Sequence, residues 1–191
     1  MSAPSPLFPL FLKLEGRDVL VIGAGLVAER KIADLVFAGA RVHVVAPNAT
    51  DSVKALAEAN SIVWSARAFE EADTEGAWLI VAATSDADVQ RRAALAAEAK
   101  RIFIIAVDDL SNATAYSGAI IRRDPFLVAI SSSAAAPALT RLLREVLEQA
   151  LPDGTWIDAA RALRDRWKAE GTPMSSRFGE LVRDFKRRAG E

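Results

Sequence analysis

Cysteine is absent from the 191 residues, and histidine occurs once, at His43. The first absence excludes disulfide scaffolds, thiolate metal sites and cysteine nucleophiles. The second leaves a multi-histidine metal site or a Ser-His-Asp triad almost nothing to draw on, so no metal-ligating residues are expected. Net charge is nearly absent as well, at -1 from 24 basic and 25 acidic side chains. A broad nucleic-acid surface usually needs a basic excess, so no nucleic-acid partner is expected. Long apolar runs are missing: nothing approaches the roughly 18 residues of a membrane-spanning helix. The opening MSAPSPLFPLFLKLEGR has a short apolar patch, but prolines interrupt it and no basic residue precedes it, unlike an export signal. A soluble, cytoplasmic protein is the expectation.

What is present is core material. The chain is 51% hydrophobic and 26% charged, which excludes a disordered or collagen-like polymer. Its length allows one domain with an appendage, or two small units. Chemistry falls to carboxylates, basic side chains, backbone amides or a borrowed cofactor.

From residue 17 the chain alternates between strand-like and helix-like stretches. Strands are expected at 18–22, 41–46, 61–65, 78–82 and 102–107, and helices at 26–38, 51–59 and 86–99. Gly39 is placed to cap the first helix. Such alternation indicates an α/β, Rossmann-type parallel sheet with crossover helices. After a polar connection at 110–118 the pattern changes. Apolar strands at 119–121 and 126–131 flank a turn read at Arg122-Arg123-Asp124-Pro125. Pro137 opens a helix with a wide apolar face (Leu139, Leu142, Leu143, Val146, Leu147), which Pro152-Asp153-Gly154 ends. The tail holds two amphipathic helical stretches split by Gly171-Thr172-Pro173. A hairpin and one helix are too little to hold a core alone, so pairing with the same element of another copy is expected. The resulting division is a nucleotide domain over 1–112, a dimerisation region over 113–151 and a small C-terminal helical domain over 152–191.

Between the first strand and first helix stands Gly23-Ala24-Gly25-Leu26-Val27-Ala28, a G-x-G-x-x-A sequence. Gly23 permits the tight turn, Gly25 lets backbone approach a pyrophosphate, and Ala28 allows helix and sheet to pack closely. The helix N-terminus supplies amides and a favourable dipole. Dinucleotide folds often carry an acid after the second strand to hold the adenosine ribose. Here that place reads Ala46-Pro47-Asn48, with neither an acid nor a following base, which tilts the choice from NADP toward NAD. Asp108, at the carboxyl end of the last strand, lies where ligands of open α/β sheets bind. It reads equally as a general base or as a solvated loop aspartate, while Asp109 reads as structural. The serines at 131–133 can bind a carboxylate at a helix N-terminus or simply cap the helix. His43 alternates with Val42 and Val44 as a strand residue, and the tryptophans at 64, 78, 156 and 167 read as core or interface anchors.

GAGLVAERK (23–31), VVAPN (44–48), AATSD (82–86), AVDD (106–109) and SSSAAAPALTRLLRE (131–145) occur in this order. Together with PLFLKLEGRDVLVIG at the start and RDRWKAEGTPMSSRFGELV in the tail, they resemble the precorrin-2 dehydrogenase/sirohydrochlorin ferrochelatase family, the dehydrogenase-chelatase module of sirohaem synthesis. The resemblance covers nearly the whole chain, and the length leaves no room for the uroporphyrinogen methyltransferase domain that some members carry. It implies a homodimer that oxidises precorrin-2, a tetrapyrrole, to sirohydrochlorin with NAD. In bifunctional members Fe²⁺, as substrate, is then inserted. Carried over by position, the aspartate with a role in both steps is Asp108. Cofactor contacts fall on Gly23, Ala24, Gly25, Leu26, Val27, Pro47, Asn48 and Thr84. The family's loop serine falls on Ser132. For a polycarboxylate substrate, Arg122, Arg123 and Arg141 are the candidate cations, with Arg144 also on the dimerisation helix and Arg30 and Lys31 on the first helix. Solvated charge and pairing one helical turn apart are the competing reading for each. Two stretches depart from the family pattern: Ser133-Ala134-Ala135-Ala136 replaces a loop with two glycines, and Ala115-Tyr116-Ser117-Gly118 replaces a Phe-x-x-Pro pattern. Two further readings stand beside the bifunctional one, a dehydrogenase without chelatase activity and a non-catalytic NAD-sensing module.

Overall fold

The computed structural model describes residues 6–124, 126–133, 135–151 and 154–189. Pro125, Ala134, Pro152 and Asp153, which carry parts of the expected turn, serine loop and helix end, lie outside the described residues, as do 1–5 and 190–191. The chain forms two compact units, one running to Ser117 and the other beginning at Gly118.

In the first unit the elements are β1 (Asp18–Ile22), α1 (Leu26–Phe37), β2 (Arg41–Val45), α2 (Asp51–Glu58), β3 (Val63–Ser65), β4 (Leu79–Ala82), α3 (Ala87–Lys100) and β5 (Phe103–Ala106). Every strand pair is parallel and the sheet order is β3-β2-β1-β4-β5, the Rossmann-type arrangement the alternation predicts. β1 and β4 sit centrally and are buried on both faces, which is why they read as unbroken apolar runs. One face packs Val19, Val21, Val42 and Val44 against Ala28, Ile32 and Leu35 of α1 and Val53 of α2. The other packs Leu20, Ile22, Ile80 and Ile104 against Ala93 and Ala97 of α3. α1 closes with a Schellman arrangement: Ala40 N–H donates to the Leu35 carbonyl (3.1 Å) and Gly39 N–H to that of Val36 (2.9 Å). Gly39 takes φ +75°, where glycine avoids the cost of a Cβ.

In the second unit β6 (Ala119–Arg123) and β7 (Phe126–Ile130) form an antiparallel hairpin, followed by α4 (Pro137–Ala150), α5 (Gly154–Glu170) and α6 (Met174–Ala189). The expected four-residue turn is corrected here. Arg122 pairs with Leu127 and Arg123 with Phe126, so both arginines extend the ladder and belong to the strand, not to the turn. Ladder hydrogen bonds satisfy more backbone groups than a longer loop would, and the charged side chains tolerate an exposed strand end. α5 and α6 pack through an edge-on contact of Trp156 with Phe185 (4.4 Å) and a hydrogen bond from Trp167 Nε1 to Glu180 Oε2 (2.7 Å). The α4 residues Leu139, Leu142, Leu143, Val146 and Leu147 are all exposed. Trp78 is exposed too, under the Arg17 guanidinium 3.8 Å from its ring centroid, so it anchors no core. Among the described residues, no helix is long and apolar enough to cross a membrane.

Candidate functional site

The sheet order reverses between β1 and β4, and in open α/β sheets ligands bind outside the carboxyl ends of strands at such a point. The G-x-G-x-x-A loop leaves β1 there. Gly23 has φ +104°, and a Cβ added to it would stand 2.3 Å from the Ala83 carbonyl oxygen, just beyond β4. Only glycine fits. Gly25 is the opposite case: an added Cβ meets nothing within 4 Å, so the space over it is open to a ligand. Gly25 is the N-cap of α1 and offers no side chain, leaving the first-turn amides unclaimed by a cap. Leu26 and Val27 are exposed, whereas Ala24 and Ala28 are buried beneath the loop. Uncapped amides, an open approach and the positive end of a helix dipole fit the pyrophosphate of a dinucleotide.

The segment after β2 is tied to this loop. Gly23 N–H donates to the Val45 carbonyl (3.0 Å) and Thr50 N–H to that of Ala24 (3.1 Å). Thr50 Oγ1 donates to Glu29 Oε2 (2.9 Å), and Trp64 Nε1 donates to the Ala46 carbonyl (3.0 Å). Pro47 and Asn48 are thereby held exposed beside the glycine loop. His43, on β2, shares a hydrogen bond with Ser65 on β3 (2.9 Å). On α1, Lys31 Nζ donates to Ser117 Oγ (2.7 Å), and burial lowers its pKa, partly opposed by Asp34.

Thr84 and Asp108 follow the adjacent strands β4 and β5. Thr84 is half-buried and its Oγ1 accepts from Asp86 N–H (3.2 Å). Asp108 is exposed, and its carboxylate has no hydrogen-bond or ion-pair partner among the described residues. Its backbone is left-handed, with φ +58°. That conformation costs an aspartate of order 1 kcal/mol, a strain that recurs at functional sites. Asp109 has the contrasting environment. Its two oxygens accept from Ser111 Oγ and Asn112 Nδ2, each at 2.6 Å, and these bonds hold its pKa below the ordinary value. The two neighbouring acids are thus a tied carboxylate and an exposed one that is untied among the described residues.

Gln90 is the polar residue that sequence reasoning missed. It is 6% exposed on α3, and its Nε2 donates to the carbonyls of both Thr84 (2.7 Å) and Val107 (3.1 Å). Its Oε1 is buried without a partner among the described residues, a state that costs about 1–3 kcal/mol. The available signal was a polar residue on the same helical stripe as Ala93 and Ala97.

The remaining candidates belong to the second unit. Ser132 Oγ accepts from Ala136 N–H (3.2 Å) and from Thr140 Oγ1 (2.8 Å), so it secures the start of α4. Ser133 is left-handed at φ +50°. Arg123 Nη1 donates to the Leu151 carbonyl (2.7 Å), Arg141 pairs with Glu145 (3.0 Å), and Arg144 pairs with Glu148 (2.5 Å). Arg122 is exposed on β6. The structure therefore gathers the glycine loop, Pro47, Asn48, Thr84 and Asp108 along one sheet edge, while Ser132 and these arginines lie in the other unit.

Residues 10–119 match the family described as "Putative NAD(P)-binding". Siroheme synthase of Neisseria meningitidis serogroup C (strain 053442) is 40% identical over 190 residues, covering 93% of this chain and 40% of the relative. Siroheme synthase 1 of Aeromonas salmonicida (strain A449) is 43% identical over 171 residues, covering 88% of this chain and 36% of the relative. The chain thus spans about two fifths of the curated relatives it matches. Among solved structures, SirC, precorrin-2 dehydrogenase, shares the fold with a TM-score of 0.74 at 23% identity, over 93% of this chain and 88% of that one.

Proposed function

This chain belongs to the NAD(P)-binding family that its residues 10–119 match, and on that premise we propose that it oxidises precorrin-2 to sirohydrochlorin with NAD and then inserts Fe²⁺. The observation that carries the reading is the pairing, on one sheet edge, of an open glycine loop with the untied carboxylate of Asp108. The siroheme synthase names of the relatives and the precorrin-2 dehydrogenase fold support the substrate.

When bound, NAD supplies the hydride acceptor. The chain's residues do the rest. Amides of Gly25, Leu26 and Val27 hold the pyrophosphate, while Pro47 and Asn48 border the ribose. Glu29, bonded to Thr50, sets a carboxylate near that segment, which disfavours an added phosphate and supports NAD over NADP. Thr84 orients the nicotinamide end. Dehydrogenation removes a hydride and a proton from the substrate, and Asp108 accepts the proton, a contribution typically of about 10²–10⁴-fold in rate. In the second step Fe²⁺ displaces two pyrrole N–H protons, which the same carboxylate takes up one at a time, releasing each to solvent before it accepts the next. Arg122, Arg123 and Arg141 supply cations for the substrate's carboxylates. The reading includes a homodimer, which the exposed apolar face of α4 supports.

A dehydrogenase without chelatase activity is the second reading, favoured by the altered serine loop in which the Ser132 hydroxyl is already engaged by Ala136 and Thr140. Adding Fe²⁺ to sirohydrochlorin, with and without protein, separates the two. Insertion faster than the protein-free control supports the bifunctional enzyme; an equal rate leaves the dehydrogenase alone.

A further inference from the structure

We infer that Gln90 is a positioning residue for Asp108, an inference that rests on the dehydrogenase reading above. Its side-chain amide can face only one way. Two carbonyl oxygens, of Thr84 and Val107, lie at 2.7 and 3.1 Å, and only the nitrogen end can donate to them. One donor group thus ties the segment after β4 to the segment after β5. The Val107 carbonyl belongs to the peptide that leads into Asp108, so holding that oxygen fixes the plane from which Asp108 departs at φ +58°. Val107 is held on its other side as well, where its N–H donates to the Ala82 carbonyl (2.9 Å). Past Asp108, the bonds of Asp109 to Ser111 and Asn112 fix the next side chain. Asp108 is therefore a carboxylate without a partner among the described residues, on a backbone clamped before and after.

A filler of this space would be apolar. Gln90 shares its stripe with Ala93 and Ala97, and an apolar side chain there would remove the unpartnered Oε1 but would also take the donor from the Thr84 and Val107 carbonyls. The retained amide serves the two carbonyls. It also links the residue proposed to orient the nicotinamide, Thr84, to the residue proposed to take the proton. Beyond the β4–β5 ladder, which the Val107 N–H bond to Ala82 extends, Gln90 is the side chain that ties the segments carrying these two residues.

The test uses the full chain and the variants Gln90→Met, Gln90→Glu, Asp108→Asn and the Gln90→Met/Asp108→Asn double. Gln90→Met keeps the volume and removes the donor. It should lower kcat for NADH formation from precorrin-2 by about tenfold or more, since small misplacements cost this much. KM for precorrin-2 should stay within about twofold, the pattern of a lost transition-state interaction. Amide exchange should quicken in residues 103–110 and not in residues 18–22. Gln90→Glu, whose protonated carboxyl can donate one bond, should fall between Gln90→Met and the native protein. In the Asp108→Asn background Gln90→Met should add no further loss. Native kcat and native exchange in Gln90→Met overturn the inference, as do losses that multiply in the double variant. If Gln90→Met does not fold, the same readouts on Gln90→Glu decide it. A native protein that forms no NADH sinks the dehydrogenase reading instead, and exchange in residues 103–110 then judges the clamp alone.

Discussion

Gly23 and Ala83 approach so closely that a Cβ on the first would stand 2.3 Å from the carbonyl oxygen of the second. Backbone from β1 and backbone beyond β4 meet there at the switch point of the sheet. Gly23→Ala must therefore both abandon φ +104° and push a strand end aside, and we expect it to lower stability by more than about 1 kcal/mol. Gly25→Ala separates ligand effects from folding effects, because its Cβ meets no protein atom within 4 Å. Its melting temperature without ligand should move by the equivalent of about 1 kcal/mol or less, the scale of an N-cap change. Its NAD affinity should fall at least about tenfold, or 1.4 kcal/mol. Calorimetric titration and thermal melts check both.

Acid should loosen the first unit through Asp73. Hydrogen bonding from the Arg67 guanidinium, against the opposing effect of burial, holds the Asp73 carboxyl below its ordinary pKa, with the Glu70 N–H and Arg67's charge adding to it. A carboxylate with a lowered folded-state pKa contributes stability above its unfolded value, about 3.9, and loses it as pH falls through the folded value. Asp73→Asn should thus melt lower than the native protein at neutral pH, and its melting temperature should fall less steeply between about pH 5 and pH 2. Parallel slopes would remove Asp73 from the acid response.

The apolar face of α4 calls for a partner. With Leu139, Leu142, Leu143, Val146 and Leu147 all exposed, and polar pairs of Arg141 with Glu145 and Arg144 with Glu148 on the same helix, the expected occupant is a second copy. Sedimentation should show a dimer. Leu142→Glu with Val146→Glu should weaken it at least about 100-fold, the scale of losing central apolar anchors. A native monomer would contradict this.

Strand and helix order was legible because buried parallel strands are short β-branched runs, and glycine marked the tightest turn. Other features had no such mark. Asp108 takes a left-handed backbone without the glycine that usually announces one. Gln90 hides in an alanine-rich helix, and its importance comes from two carbonyls that tertiary structure brings to it. Arg122 and Arg123 read as turn residues because charge and a following proline suggest a loop, yet ladder register extends the strand through both. Ser132 had two open roles, carboxylate binding and helix capping; its hydroxyl bonds Ala136 N–H and Thr140 Oγ1, partners that only tertiary structure reveals.

In the proposed reaction NAD binds at this sheet edge while Asp108 takes the substrate's proton. Anaerobic incubation of precorrin-2 and NAD with the native protein and with Asp108→Asn tests it most directly, followed by NADH and sirohydrochlorin absorbance. Equal amounts of the two products are expected from the native protein. In Asp108→Asn kcat should be lower by about 10²–10⁴-fold, with NAD affinity retained. No NADH from the native protein, or full activity in Asp108→Asn, would contradict the proposed reaction.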